Sequence, residues 1–245
     1  MKELLNTIYK RKSIRKYDKN QPLSAEQLNH IITYFDQIHP LDPDIKIHLE
    51  IVKREETTAK FGEYCLLFYS EEKPFALLNA GYILEQIDLY LETQNIGVCW
   101  YGMAHTKRKT YQEMKFIIML AFGSTNPLVF RKKITEFNRK PVAEIWDGDF
   151  EEEVKNIVRL APSACNTQSW RFVSSADQIT IYRNPNVRSI IPKSKLRYFN
   201  SIDLGIVLCF LDIALESKDY SFNRTLIDQK SEEDLVIIAK YQIKK

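Results

Sequence analysis

Apolar residues near the beginning of the chain recur at the spacing of one helix face. Leu28, Ile31 and Phe35 lie three and four residues apart, as they would along an amphipathic helix. Ser24 precedes them and Gln27 follows it three residues later, which is the side-chain pattern of a capping box. We therefore expect a helix to begin at Ser24.

A period of two then replaces the helical period. Over residues 45–52 apolar and polar side chains alternate, which is typical of a strand with one buried face. Residues 64–69 predict a second strand, and the short apolar run at 116–122 predicts a central strand because turn residues flank it. Between these two strands, the apolar positions of residues 75–94 fit one long buried helix.

The same order of elements returns later in the chain. The pattern predicts a helix at 154–161, strands at 170–173 and 179–182, a long helix at 200–216 and a last strand at 235–243. No Gly/Ser-rich linker separates the two series, so we expect them to pack tightly against each other.

The two long helices align with Gly81 on Gly205, which suggests an internal duplication of residues 20–124 and 150–243. Few identities support the alignment, so a chance likeness between the helices stays open. On this interpretation the chain consists of two halves, residues 1–148 and the shorter 149–245.

Composition limits the classes of protein to which the chain can belong. Of its 245 residues, 44% are hydrophobic and 27% are charged, without the strong bias of a disordered, collagen-like or disulfide-scaffold protein. The 35 Lys and Arg residues exceed the 32 Asp and Glu residues by 3. This small net charge gives no indication of a nucleic acid or an anionic membrane as partner.

Signals for export, membrane insertion and metal binding are weak. The chain begins without the uninterrupted apolar stretch of a signal peptide, and its most apolar window, 205–215, has about half the ~20 residues of a membrane span. We therefore expect a cytoplasmic protein. We expect no structural metal and no disulfide, because no CxxC pair occurs and no two histidines have the spacing of a metal site.

A cluster of cations lies close to the beginning of the chain. Arg11, Lys12 and Arg15 surround the hydroxyl of Ser13. The donors of an arginine match phosphate oxygens, and a hydroxyl can complete the shell. The segment is thus a candidate phosphate site. A solvated basic turn has the same composition, while an arm for nucleic acid would carry interleaved aromatic residues.

A second candidate segment follows the predicted helix at 154–161. Pro162 ends this helix, and small or amide-bearing residues continue to Trp170. Such a loop lets a flat polar ligand approach closely, although it is also an ordinary connection between a helix and a strand. Cys165 within it is a candidate nucleophile, but neither His nor Asp is near it in sequence.

Together the two segments resemble the nitroreductase-like flavoproteins. The resemblance rests on Arg-x-Ser-x-Arg at 11–15 and on Ala-Pro-Ser-x-x-Asn-x-Gln-x-Trp-x-Phe at 161–172. It implies an α+β fold with mixed or antiparallel sheets flanked by helices. It extends to the long helix at 81–91, a flavin-facing loop at 97–102, a strand that ends at Gly123 and a basic closing segment at 139–141.

The sequence departs from the family in the distance between its two motifs. In family members the two segments lie close together, and the flavin lies at a dimer interface where each protomer supplies one of them. Here most of the first half separates them. The chain therefore resembles the single-chain branch of the family, in which two tandem repeats form a pseudo-dimer. This implies one complete flavin site per chain and a monomeric protein.

The resemblance also implies the contacts of FMN. Arg11, Lys12 and Ser13 would hold its phosphate and ribityl end, and Arg15 would lie at the ring edge where reduced flavin carries negative charge. The remaining contacts would be backbone N–H groups of Tyr101 and Gly102 toward N5, Arg139 and Lys140 at the phosphate, and Pro162, Ser163 and Asn166 from the second half. Ser169 replaces an expected proline, which puts the rigidity of that loop in question.

The implied function is that of an FMN-dependent oxidoreductase. NADH or NADPH would reduce the flavin, and a small nitroaromatic or quinone-like acceptor would reoxidise it in a ping-pong reaction with no obligatory protein acid or base. Glu85, Asp88 and Glu92 are expected on a solvated or interface face of their helix. Two alternatives stay open: a flavin-binding module with little turnover, and a thiol enzyme that uses Cys165.

Overall fold

The computed structural model describes residues 1–228 and 235–244. Within them the helices are α1 (Leu5–Ile8), α2 (Ala25–Tyr34), α3 (Ala76–Thr93), α4 (Val142–Ile145), α5 (Glu152–Val158) and α6 (Lys193–Ser217). The strands are β1 (Ile47–Lys53), β2 (Tyr64–Ser70), β3 (Ile96–Trp100), β4 (Thr110–Tyr111), β5 (Met114–Ser124), β6 (Trp146–Asp147), β7 (Trp170–Ser174), β8 (Gln178–Arg183), β9 (Ser221–Leu226) and β10 (Val236–Lys244).

The strands form two sheets. The first has the order β1-β2-β5-β3, with β4 paired to β5, and all its pairings are antiparallel. The second has the order β6-β7-β8-β10-β9, and its pairings are antiparallel except for the parallel pair of β6 and β7. The expected α+β fold with mixed and antiparallel sheets is therefore confirmed.

Both sheets follow one plan. In each sheet a pair of antiparallel strands, β1 and β2 or β7 and β8, precedes a long helix. The strand directly after that helix lies at the edge of the sheet, beside the strand that comes last in the chain. The order β1-β2-β5-β3 thus matches the order β7-β8-β10-β9, with α3 and α6 in corresponding places.

The long helices α3 and α6 cross at two glycines. A Cβ on Gly81 would lie 1.9 Å from the carbonyl oxygen of Ile202, and a Cβ on Gly205 would lie 1.9 Å from that of Leu78. These distances are too short for any side chain, so glycine is needed at both positions for the two backbones to approach. Each glycine contacts the residue three positions before the other, so the crossing is reciprocal.

Helix α6 contributes the longest buried run of any described helix. Its residues 202–215 are buried without interruption, and they belong to one contiguous apolar cluster that includes side chains of both sheets. The helix is long and apolar enough to cross a membrane, but 89% of its most apolar window is buried within the fold. It is therefore a core helix, as its neighbours on both sides indicate.

The hydrophobic pattern located most elements correctly. At the beginning of α2, the Ser24 hydroxyl accepts from the Gln27 N–H at 3.2 Å and the Gln27 side chain accepts from the Ser24 N–H at 3.0 Å, so the predicted capping box is confirmed. The expected flavin-facing loop is partly wrong, because its first residues form β3, where Val98 pairs with Phe122. The short strand β6 pairs with β7 and joins the second sheet. Its residues nevertheless precede residue 149, where the second half was expected to begin.

Candidate active site

A cavity of about 500 Å³ lies where the segment before α2, the end of β3, the loop after α5 and helix α6 meet. Its volume is typical of sites for small molecules. Most of its wall is apolar and includes Phe199, Ile202 and Ile206 along α6. The polar lining comes from both ends of the sequence: Arg11, Ser13 and Arg15 early, and Ser163, Asp203 and Lys195 late.

The early segment is held against the edge strand β3. The Ile14 N–H donates to the Val98 carbonyl at 2.8 Å, and Ser13 forms a parallel bridge with Val98. Ile14 is buried, while Arg11, Ser13 and Arg15 line the cavity. Extended backbone explains this arrangement, since alternate side chains point to opposite faces.

The late loop is anchored on α6. The Ala164 N–H donates to the Asp203 carboxylate at 2.9 Å, and the Gln168 N–H donates to the Ser163 hydroxyl at 2.9 Å. Asn166 and Gln168 adopt left-handed φ angles of 57° and 47°, which asparagine tolerates better than most residues. The loop is therefore a tight turn that presents Pro162 and Ser163 to the cavity.

Asp203 is a buried carboxyl in the cavity wall. It is 3% exposed, and its Oδ2 atom has no hydrogen-bond partner among the described residues. Burial raises the pKa of Asp203 to about 8. At the corresponding place on α3, the Asn79 side-chain oxygen accepts from the N–H groups of Leu41 at 2.8 Å and Asp42 at 3.2 Å. An amide thus anchors the equivalent loop of the first half.

Arg11 is bound by carboxylates in the interior. Its side chain is 2% exposed, with Nη2 2.9 Å from Asp88 Oδ2 and Nε 3.2 Å from Glu85 Oε1. The Trp100 indole N–H lies 2.9 Å from Asp88 Oδ2 and 3.2 Å from Glu85 Oε2. Burial lowers the pKa of Arg11, but Asp88 and Glu85 outweigh that effect and raise it above its usual value. Arg11 therefore stays charged.

The expectation of a solvated face for the three α3 acids is wrong. Glu85, Asp88 and Glu92 are buried, and burial raises the pKa of each of them. Arg11 lies among these three carboxyls and lowers the pKa of each, but burial has the larger effect. The Lys12 N–H donates to Glu92 Oε1 at 3.1 Å, which ties the phosphate-site candidate segment to the cluster.

Two further guanidinium groups lie beside Arg11. Arg131 stacks on the Phe137 ring at 4.1 Å and donates to the Arg11 carbonyl, and Arg139 lies 5.8 Å from the same ring. Among the described residues no carboxylate pairs with Arg131 or Arg139. Burial and then the neighbouring Arg11 lower the pKa of Arg131, and burial, Arg11 and Arg131 lower that of Arg139 to about 9. Such a cluster is suited to an anion.

The turn after β3 contains one backbone N–H group that is already hydrogen-bonded and one that is not. The Tyr101 N–H donates to the Met119 carbonyl at 3.0 Å, so it is not available to a ligand as expected. No described residue accepts from the N–H of Gly102, which lines the cavity. A Cβ on Gly102 would lie 2.5 Å from the Phe199 ring, so glycine is needed for this turn to approach α6.

Comparison with known families agrees with this architecture. The family model described as "Putative TM nitroreductase" matches residues 3–215, which is most of the chain. The chain belongs to this nitroreductase family.

Solved structures provide further similarity. A structure of a nitroreductase-family protein from Thermotoga maritima is 19% identical, covers 98% of this chain and 92% of its own, and has a TM-score of 0.63, which shows a common fold. Structures titled as NADH dehydrogenase/NAD(P)H nitroreductases from Parabacteroides distasonis and Bacteroides thetaiotaomicron are 16% and 12% identical. They cover 60% and 54% of this chain and 99% and 89% of their own, with TM-scores of 0.45 and 0.41. No curated protein matches.

The nitroreductase fold brings most of the residues of the sequence prediction to one place. Those that line the cavity are Arg11, Ser13, Arg15, Tyr101, Gly102, Pro162 and Ser163. The other four, Lys12, Arg139, Lys140 and Asn166, are not among its lining residues. Arg139 donates to Asn166 Oδ1 at 2.8 Å, Lys140 Nζ donates to the Gln168 carbonyl at 3.1 Å, and the side chain of Lys12 is exposed.

Sequence reasoning missed Arg131 and Asp203. The basic run that begins at Arg131 was a weak signal for the first, and no local pattern marks the second, since it lies within an apolar helix. The alternative of a thiol enzyme gains little support. Cys165 is exposed at the cavity, but none of the described lining residues is a histidine. The described residues also contain no cluster of metal-binding side chains.

Proposed function

We propose that this nitroreductase-family chain is an FMN-dependent NAD(P)H oxidoreductase that reduces small electron-poor acceptors such as nitroaromatics or quinones. One observation carries the proposal. Arg11, Ser13 and Arg15 come from one end of the sequence, Pro162 and Ser163 from the other, and all five line the same cavity. These two segments are distant in sequence, yet they meet at one cavity, and a bound flavin would need contacts from both segments.

The residues present fit FMN in three respects. Arg131 and Arg139 supply guanidinium groups with which no described carboxylate forms an ion pair, as a phosphate site requires. The apolar wall of α6 suits a flat ring, and the N–H of Gly102 supplies a donor at its margin. Arg11 is a weaker phosphate ligand than the sequence implied, because Glu85 and Asp88 already bind it. Its role is then to position Ser13 and Arg15.

The chemistry follows from this lining. Bound FMN would supply the chemistry of hydride transfer between a nicotinamide and the acceptor. Phe199, Ile202 and Ile206 would exclude water from the ring, and the exposed Arg15 would add positive charge to the lining of the cavity. Because donor and acceptor would share the same cavity, they would react in turn, in a ping-pong order.

We propose further that the chain is a fused pseudo-dimer of two tandem repeats, residues 1–148 and 149–245. The matching strand orders of the two sheets and the reciprocal crossing of Gly81 and Gly205 support this. So does the loop-anchoring role common to Asn79 and Asp203. In this interpretation the chain has one flavin site, between the repeats.

Purification without added cofactor tests the proposed function. We expect a yellow protein whose flavin absorbance near 450 nm is roughly that of one FMN per chain, and NADH or NADPH should bleach it without oxygen. A protein that binds FMN tightly but is bleached by neither nicotinamide would favour the flavin-binding module. A colourless protein that cannot be loaded with FMN would refute both.

A further inference from the structure

A second groove opens beside the cavity. It has a volume of about 770 Å³ and is formed by residues 15–22, the end of β1 and residues 60–64. Arg15 and Phe61 line both spaces, so the groove adjoins the cavity. Phe61 is fixed there by stacking on Tyr101, with ring centroids 4.5 Å apart and planes within 3°.

The groove is strongly basic. Its lining acids, Glu55 and Glu63, are already engaged: Glu55 pairs with Arg54 at 2.6 Å, and Glu63 accepts from backbone N–H groups at 2.9 Å and 2.6 Å. Within the described ranges, no carboxylate forms an ion pair with the remaining cations of the lining. These are Arg15, Lys16, Lys19, Lys53 and Lys60.

This concentration of charge is local. The whole chain has a net charge of +3, whereas the groove lining contains six Lys or Arg residues against two Glu residues. The five unpaired cations are exposed, so they remain hydrated and available. Exposed cations at a groove bind phosphate groups, and they raise the rate at which anionic ligands arrive.

We propose that this basic groove binds the 2′-phosphate and diphosphate of NADPH, and that the chain therefore uses NADPH in preference to NADH. The inference rests on the proposed function, because a dinucleotide would extend into the groove only when its nicotinamide binds in the cavity as hydride donor. Because the groove adjoins the cavity at Arg15 and Phe61, the arrangement favours a small ligand that reaches both spaces over a long polyanion.

Binding of nucleotide fragments tests the groove without any flavin chemistry. The probes are 2′,5′-ADP and 5′-AMP, titrated calorimetrically into the purified protein. We expect 2′,5′-ADP to bind at least about tenfold more tightly, the effect of one charge-assisted hydrogen bond. Lys53→Gln with Lys60→Gln should remove about that factor for 2′,5′-ADP and leave 5′-AMP binding and FMN content unchanged.

A matched variant controls for total charge. Lys240→Gln with Lys244→Gln removes two exposed lysines from β10 in the other sheet, and we expect it to bind 2′,5′-ADP like the unmodified protein. Equal affinities for 2′,5′-ADP and 5′-AMP, or undiminished binding by the Lys53/Lys60 variant, would overturn the proposal. A protein that binds 2′,5′-ADP selectively but never FMN would instead contradict the proposed function and leave the groove intact.

Discussion

Arg131 and Arg139 are the residues whose surroundings point most directly to a ligand. Each is partly buried, neither forms an ion pair with a carboxylate among the described residues, and Arg11 lies close to both. Keeping such cations together costs free energy that a bound anion would recover. Their carbonyl and amide partners orient the guanidinium groups but do not neutralise them.

We predict that Arg131→Gln with Arg139→Gln weakens FMN binding by about 3 to 6 kcal/mol, because each of the two residues would lose a charge-assisted hydrogen bond to the phosphate that contributes about 1.5 to 3 kcal/mol. Fluorescence titration of FMN into apoprotein measures the change. Lys132→Gln with Lys133→Gln removes two adjacent exposed cations and should have little effect. An affinity for FMN that the first variant leaves unchanged would place the phosphate elsewhere.

Asp203 supports a prediction about pH and stability. Its folded pKa of about 8 lies above the unfolded value of about 3.9, so the folded state holds a proton that the unfolded state has released. Between these values the free energy of unfolding therefore falls as the pH rises, by at most about 1.4 kcal/mol per pH unit. Asp203→Asn removes this dependence and keeps an oxygen for the Ala164 N–H, as Asn79 does for its own loop.

Urea unfolding at pH 5 and pH 8 tests the effect of Asp203. The Asp203→Asn variant should gain stability relative to the unmodified protein as the pH rises over this window. Asn79→Asp is the mirror-image control and should lose stability over the same window, since it introduces a carboxyl at the buried corresponding position. Parallel stability curves for Asp203→Asn and the unmodified protein would show that Asp203 is ionised in the fold.

Single residues also show how far sequence reasoning reaches. The local motifs of Ser13 and Ser163 were enough to select residues that line one cavity. The partners of Arg11 were not predictable, because Glu85 and Asp88 have the spacing of an ordinary solvated helix face, and the burial of that face depends on contacts distant in sequence. The role of Asp203 depends on the same kind of distant contact.

At the scale of elements, the amphipathic pattern identified helices and strands with one buried face. It missed segments that are exposed or buried on both faces. The first turns of α6, from Lys193, are polar and exposed, so the apolar pattern began only at residue 200. Strand β3 is buried on both faces and contains Gly97, so it lacks the alternation that reveals a strand. Edge strand β9 alternates exposed and partly buried positions, but Arg224 takes one of the partly buried positions, so the strand lacks an apolar alternation.

The crossing of α3 and α6 supports a prediction of its own. Gly81→Ala and Gly205→Ala should each destabilise the protein by about 3 kcal/mol or more, because a methyl group at 1.9 Å from a carbonyl oxygen forces the helices apart. The two losses should be similar, since the contacts are reciprocal. Chemical denaturation measures both. The control Ser201→Ala, on α6, adds no atom and should change stability by less than about 0.5 kcal/mol. An equally small change in stability for either glycine variant would contradict the close approach of the two helices.

At the scale of the whole molecule, the two halves differ at corresponding carboxylates on the long helices. Asp88 binds Arg11 beside the cavity, whereas Asp212 is enclosed by the Tyr82 hydroxyl at 2.6 Å, the Tyr241 hydroxyl at 2.7 Å and the guanidinium of Arg224. The N-terminal ammonium binds Glu216 at 2.9 Å on the same helix. In the proposed pseudo-dimer, these side chains therefore fill the region around Asp212 that would correspond to a second site.

This asymmetry predicts both stoichiometry and assembly. Because the apolar faces of α3 and α6 already cover each other, the chain has no need of a second copy to complete the cavity, and we expect it to sediment as a monomer of 28.8 kDa at micromolar concentration. Equilibrium dialysis should give one FMN per chain, with no second site at higher FMN. Sedimentation as a dimer that holds FMN only when dimeric would show that the site lies between chains, and two FMN per monomer would show that the Asp212 region is open.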